Sequence, residues 1–183
     1  MNRLVLLGTG CPAPSYRRFG PSTLIEINGE RYLFDTGSGV TQRLNELGLK
    51  SSDIDFVFIT HIHSDHIVDL YQLYISGWHQ GRNKPFKVIG PVGIKHFFTK
   101  QLESYYDELK LRKEYEMRPN EDGLNYEIIE IDDDFKFDKE NLSIKPFYVD
   151  HAPVNPAYGF KINFKKNKAE KSIIISGDTK KSE

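Results

Sequence analysis

The segment DFVFITHIHSDHIVDL, Asp55 to Leu70, decides how the rest of the chain is read. Asp55–Ile59 is an apolar run of strand length, and the apolar stretch from Ile67 to Ser76 predicts a helix. Between them, Thr60–His66 carries His61, His63, Asp65 and His66, four candidate metal ligands within six positions. In extended backbone, residues two apart point the same way, so His61 and His63 converge on one ion while Asp65 and His66 turn toward a second beside it. A polar loop with incidental histidines would have to gather three of the chain's six His here, at a strand end where α/β proteins place their chemistry.

Two later segments supply what such a site still lacks. YVDHAPVNP (Tyr148–Pro156) ends another strand with His151 in a proline-bracketed turn, and IIISGDT (Ile173–Thr179) ends a strand with Asp178 after a glycine. A carboxylate delivered there can approach closely enough to bridge two ions. Each signal alone is weak, because a strand-end His is usually structural and a strand-end Asp commonly forms a turn. Combined with the first motif they are specific.

The 183 residues carry 38% hydrophobic and 28% charged side chains and a formal net charge of −1, the profile of one globular domain. A chain of this size can bury about two-thirds of its unfolded surface. No apolar run approaches the roughly 20 residues of a membrane span, and Met1–Leu7 is too short for a signal peptide, so a cytoplasmic, non-membrane protein is expected. Cys11 is the single cysteine, which excludes an intramolecular disulfide and a thiolate zinc cluster. The near-neutral charge argues against a broad nucleic-acid footprint.

Strand-length runs recur at Leu4–Leu7, Thr23–Ile27, Arg31–Phe34, Asp55–Ile59, Phe86–Ile89, Tyr126–Ile131, Leu142–Val149, Tyr158–Phe164 and Ser172–Ile175. Helices are expected over Val40–Leu47, Ile67–Ser76 and about Gly93–Glu116, and exposed turns over Arg118–Gly123 and Asn163–Lys171. Gly8-Thr9-Gly10-Cys11-Pro12-Ala13 fits the GxGxxA dinucleotide pattern, with Asp35 at the distance of a ribose-binding acid. That motif requires the glycines to open a helix. Pro12 and Pro14 fall where the helix would run, and an interior Pro costs about 3 kcal/mol. The glycines are therefore read as a sharp backbone turn beside the site.

The HxHxDH motif at His61–His66, together with LLGTG, YLFDTGSGV (Tyr32–Val40), the His151 turn and SGDT, all in family order, resembles the metallo-β-lactamase fold hydrolases. The N-terminal LLGTG and the Tyr158-Gly159 after the His turn look most like the branch of ribonuclease Z and its arylsulfatase-like and phosphodiesterase relatives. The resemblance implies an α+β, four-layer αββα sandwich with two zinc ions, manganese or iron being the alternatives. By it His61, His63 and His151 hold one zinc, Asp65 and His66 the other, and Asp178 bridges them. Asp35 would orient ligands, and Asp65 and Asp35 would be the catalytic acids. His79 is left to a surface or substrate loop and His96 to a structural role.

A metal-activated hydroxide would cleave an ester at phosphorus or sulfur. Only the 26 residues from 152 to 177 separate His151 from Asp178, too few for the tRNA-gripping arm that the long-armed ribonuclease Z proteins insert there. A small phosphodiester or sulfate ester is therefore expected ahead of tRNA 3′-end processing, and a metal-free binding module comes last. Relatives commonly form homodimers. Relatives also deliver one more His after SGDT, whereas this sequence ends at Glu183, so residues 1–183 are expected to be the N-terminal part of a longer single domain with its C-terminal part missing.

Overall fold

The computed structural model describes residues 2–118, 120–166 and 169–181. The chain opens with β1 (Arg3–Gly8), β2 (Ser22–Ile27) and β3 (Glu30–Phe34), paired antiparallel. Asn28 and Gly29 join β2 to β3 at φ of 55° and 87°, the left-handed pair that a tight two-residue hairpin turn needs and that Asn-Gly adopts at little cost.

From β3 onward strands and helices alternate. α1 (Val40–Glu46) leads to β4 (Phe56–Phe58), α2 (Ser64–Ile67) and α3 (Leu70–His79) to β5 (Phe86–Gly90), and α4 (Ile94–Ser104) and α5 (Tyr106–Glu116) to β6 (Tyr126–Glu130). β3 to β6 pair parallel, in sequence order, completing a six-stranded sheet. Parallel neighbours require crossovers, and crossovers of one hand put their helices on one face. The other face receives a second, antiparallel sheet of β7 (Phe137–Lys139), β8 (Leu142–Tyr148), β9 (Tyr158–Lys166) and β10 (Ala169–Ile175), ordered β10-β9-β8-β7.

Two cores result. α3 turns Leu70, Leu73, Tyr74, Gly77 and Trp78 onto the first sheet, a helical period that places them on one stripe against Val57 and Val88. Between the sheets Phe34, Phe58 and Phe160 meet with ring centroids 5.1 to 5.4 Å apart. β4 is apolar on both faces because it is buried on both, Val57 toward the helices and Phe58 toward the second sheet. Helices, first sheet and second sheet are three layers of the expected αββα sandwich. Among the described residues, no helix covers the outer face of the second sheet, where Lys145, Lys161 and Ile174 are exposed.

Several local expectations change. The single helix over Gly93–Glu116 is two helices broken at Tyr105, whose ring stacks on Tyr71 with centroids 3.9 Å apart instead of continuing the apolar stripe. The helical stretch from Ile67 begins earlier, in the short turn α2, so Asp65 and His66 are helical rather than extended. The Arg118–Gly123 turn includes the start of a 3₁₀ turn, Glu121–Leu124; Pro119 lies outside the described residues. The Asn163–Lys171 hairpin is mostly strand, with residues 167 and 168 at its tip outside the described residues. β7, three residues with two charges, carries no apolar run and was not expected. No helix follows Gly8-Thr9-Gly10. Instead Gly8 passes Gly20 so closely that a Cβ would lie 1.9 Å from the Gly20 carbonyl oxygen.

Arg82 closes the Ser76–Arg82 stretch around His79, expected as a surface or substrate loop, and is buried instead. It is 2% exposed, donates to the carbonyls of Tyr74 (2.9 Å) and Gly123 (2.7 Å), and lies over the Tyr74 and Phe86 rings. Burial lowers its pKa to about 10. It ties α3 to the turn before β6.

Gly37, between β3 and α1, is where the site's scaffold is tightest. A Cβ there would meet Gly20 C at 2.4 Å, Pro21 N at 2.5 Å and Asp65 O at 2.7 Å, all main-chain atoms that cannot rotate away. Gly37→Ala is expected to cost about 3 kcal/mol, the upper range for overpacking, measured as the shift in urea unfolding of the purified chain. A loss under 0.5 kcal/mol would mean that the β3–α1 turn and the Asp65 segment are not packed as described.

Candidate metal centre

The ends of β3, β4, β8 and β10 meet at one edge of the sandwich. β3 ends in Asp35, which is buried and holds φ of 60°, a left-handed conformation rare for a residue with a side chain. Such strain persists where surrounding bonds over-determine it. Here Thr60 N donates to Asp35 Oδ1 (2.8 Å), and Thr60 Oγ1 and His66 Nδ1 face Oδ2 at 2.9 and 2.8 Å.

After β4 the backbone stays extended through His63 (φ −86°, ψ 148°) and then enters α2. This change of conformation separates the two halves of the motif. His61 and His63 point one way, and Asp65 and His66 leave on the helical turn. The β8–β9 turn brings in His151, stitched to the first sheet where Tyr158 N donates to Thr60 O (2.9 Å). Asp178, after β10, is fixed to the same turn because Lys180 N donates to Asp150 O (2.7 Å).

Two donor groups form, and they share His61. His61, His63 and His151 each offer a ring nitrogen within 4.8 Å of the others, as do His61, His66 and a carboxylate oxygen of Asp178. His63 Nδ1 lies 3.0 Å from His61 Nε2 and 3.1 Å from His151 Nε2. His66 Nε2 lies 3.5 Å from Asp178 and 3.8 Å from Asp65. Asp65 therefore borders the second group without joining either three-residue set. Of the remaining histidines, His79 is the last residue of α3 and lies between the guanidinium groups of Arg112 and Arg118, and His96 is exposed on α4.

The donors suit divalent cations. Two imidazole nitrogens, His61 Nε2 and His151 Nε2, lie 3.0–3.1 Å from a third, His63 Nδ1, which has at most one N–H and so cannot donate to both. His66 donates from Nδ1 to Asp35, and its Nε2 is buried with no hydrogen-bond partner among the described residues. A lone pair aimed at two carboxylates is the arrangement of a ligand whose other nitrogen is held by an acid.

Electrostatics differ sharply between neighbours. Burial, reinforced by the charges of His66, His63 and His151, pushes His61 down to about 3 and keeps it neutral. At His66 burial acts in the same direction, but the hydrogen bond and charge of Asp35 and the charges of Asp178 and Asp65 outweigh it and raise its pKa. A cleft of about 290 Å³ lined by Gly8, Thr9, Asp35, His66 and Asp178 opens onto the cluster. A larger cleft, about 640 Å³, lies at the lysine-rich surface of the second sheet and contains none of these residues. Thr60, which touches Asp35, His61 and the second sheet, was missed in the sequence; its only signal is its place immediately before the motif.

A family model described as Anti-Pycsar protein Apyc1 matches residues 2–183. Ribonuclease Z of Mycobacterium sp. (strain KMS) is 32% identical over 182 residues, 98% of this chain and 62% of the relative. The chain thus spans under two-thirds of the length of that curated relative. Among solved structures, the short form of human tRNase Z (ELAC1) is 27% identical with a TM-score of 0.76, covering 97% of this chain and 69% of that one. The metallo-β-lactamase fold protein YhfI from Bacillus subtilis matches at 16% identity and a TM-score of 0.71, over 98% and 63%, a likeness of fold. No helix among the described residues is long and apolar enough to cross a membrane.

The opposed shifts give the metal-free chain a pH signature. His61 binds its proton near its ordinary value when unfolded and only at about 3 when folded, so its contribution is present above about pH 6.5 and is lost as pH falls from there toward 3. His66, raised on folding, contributes below its unfolded value and loses that contribution as pH rises through its folded value. Urea midpoints measured in chelator from pH 4 to 9 are expected to fall less steeply on the acid side in His61→Gln than in the natural chain. Parallel curves would contradict a buried, neutral His61.

Proposed function

Because the chain belongs to the Apyc1 family and carries the metallo-β-lactamase fold, we propose that it is the metal-binding part of a metal-dependent hydrolase that cleaves phosphodiester bonds. The observation that carries this reading is the pair of adjacent donor groups sharing His61 at the meeting of four strand ends. His61, His63 and His151 would hold one divalent ion, His66 and Asp65 a second, with Asp178 between them; zinc suits the nitrogen-rich first group, and manganese or iron are alternatives. Ions bound there would lower the pKa of water to near 7 and polarise the ester oxygens.

The chain's own residues supply position. Asp35 is 5% exposed and reaches the chemistry through the imidazole it holds, so we assign it orientation, whereas Asp65 faces the second group directly. Asp178 is half exposed at the mouth of the cleft, where a substrate's phosphoryl group would enter. That cleft, about 290 Å³, is of the size that suits a small phosphodiester, and a sulfate ester of similar shape is the variant to test beside it. The second reading, tRNA 3′-end cleavage, is favoured by the relatives named Ribonuclease Z and tRNase Z.

Parallel turnover of bis(p-nitrophenyl) phosphate, p-nitrophenyl sulfate and a precursor tRNA, by chain reconstituted with zinc, manganese or iron, separates these readings. Phosphodiester turnover is expected, abolished by His63→Ala. Asp35→Asn should lose about 10- to 100-fold, as orienting partners of ligands typically do, and Asp178→Asn more. The reverse order would exchange the roles of the two acids, and metal-loaded chain inert toward all three substrates would overturn the hydrolase reading.

A further inference from the structure

Thr60 is fully buried at the end of β4, and its hydroxyl sits between two groups of opposite demand. Asp35 Oδ2 is 2.9 Å away on one side and His61 Nδ1 3.0 Å away on the other. A hydroxyl has one proton to donate, and a carboxylate can only accept. The Thr60 O–H must therefore point at Asp35, leaving only lone pairs toward His61. That second contact is favourable only when His61 carries its proton on Nδ1. Its Nε2, the atom 3.0 Å from His63 Nδ1, is then an unprotonated lone pair.

We propose that Thr60 is a positioning residue that relays the Asp35 carboxylate to His61, so that one buried acid fixes the tautomers of two imidazoles, His66 directly and His61 through a hydroxyl. The inference deepens the metal-site reading and rests on it for its purpose, though not for its test. The arrangement has a physical rationale. His61 turns its Nε2 toward the His63 and His151 nitrogens, so a proton on that atom would block the first donor group. It also explains why a threonine occupies a position between an apolar strand and a histidine motif, where valine would fit the burial equally well.

Long-range ¹H–¹⁵N correlation spectra of metal-free protein labelled at histidine nitrogens read the tautomer directly. The natural chain and Thr60→Ser should show His61 protonated on Nδ1, and Thr60→Val should move the proton to Nε2. The bonds Thr60 N to Asp35 and Tyr158 N to Thr60 O are main-chain and survive in the valine variant, so an unchanged His66 signal reports an intact Asp35 site. Competition with a chromophoric zinc chelator should give weaker first-ion affinity in Thr60→Val by about 10- to 100-fold and near-natural affinity in Thr60→Ser. His61 protonated on Nε2 in the natural chain, or Thr60→Val retaining the Nδ1 proton with affinity within threefold, would overturn the relay. If the natural chain takes up no zinc, the hydrolase reading fails, while the tautomer of the natural chain still decides the role of Thr60.

Discussion

A buried carboxyl group needs hydrogen-bond partners, and Asp35 finds them at the two ends of the Thr60–His66 segment, 25 and 31 positions further along the chain. Its main chain is left-handed, which aims the side chain across β4 instead of along β3. Everything nearby follows. The end of β4 is held by its amide and hydroxyl, α2 by the His66 imidazole, and both must sit where one carboxylate can reach them. The requirement runs in both directions: a β3 end that could relax to an ordinary conformation would take Asp35 away from His66, and a shifted β4 would leave a buried carboxyl group without its partners.

The second sheet brings His151 and Asp178 to the cluster only because it is held in register. Phe34, Phe58 and Phe160 interlock between the sheets, with Phe137 set edge-on against Phe58. Their rings join the two sheets through the core that they share with Ile89, Ile144 and Tyr158. At the rim, one main-chain bond from Tyr158 to Thr60 joins the sheets, and another from Lys180 to Asp150 ties the Asp178 and His151 segments to each other. The site is thus anchored on strand ends and short turns, elements stiff enough to keep facing nitrogens near 3 Å apart without a bonded partner.

How much of this was legible in the sequence follows from what each signal depends on. That His61, His63, His66, His151 and Asp178 come together could be read because ligand chemistry limits residue types and because strand ends are marked by apolar runs. Nine strands could be read because each buries an alternating or continuous apolar face. β7 could not, since three residues with two charges carry no period, and it is a strand because β8 offers it an edge. The break at Tyr105 depends on a ring stacking against Tyr71, a contact 34 positions away, and the helical start of α2 depends on His63 remaining extended just before it. Arg82 and Thr60 are legible only in three dimensions. An arginine ordinarily reads as surface and a threonine as a strand residue, and both owe their roles to polar groups that the fold brings to them. The glycine-rich N-terminal motif shows the opposite hazard: its pattern satisfied a nucleotide fingerprint, while its glycines serve the close passage of one loop past another.

On the proposed reading, these side chains hold two ions side by side. Anomalous diffraction at the zinc edge, from crystals of the chain grown with zinc, tests it most directly. Two peaks are expected, one surrounded by His61, His63 and His151 and the other by His66 and Asp65, with Asp178 between. No peak at the cluster, or a single peak that excludes His61, would contradict it.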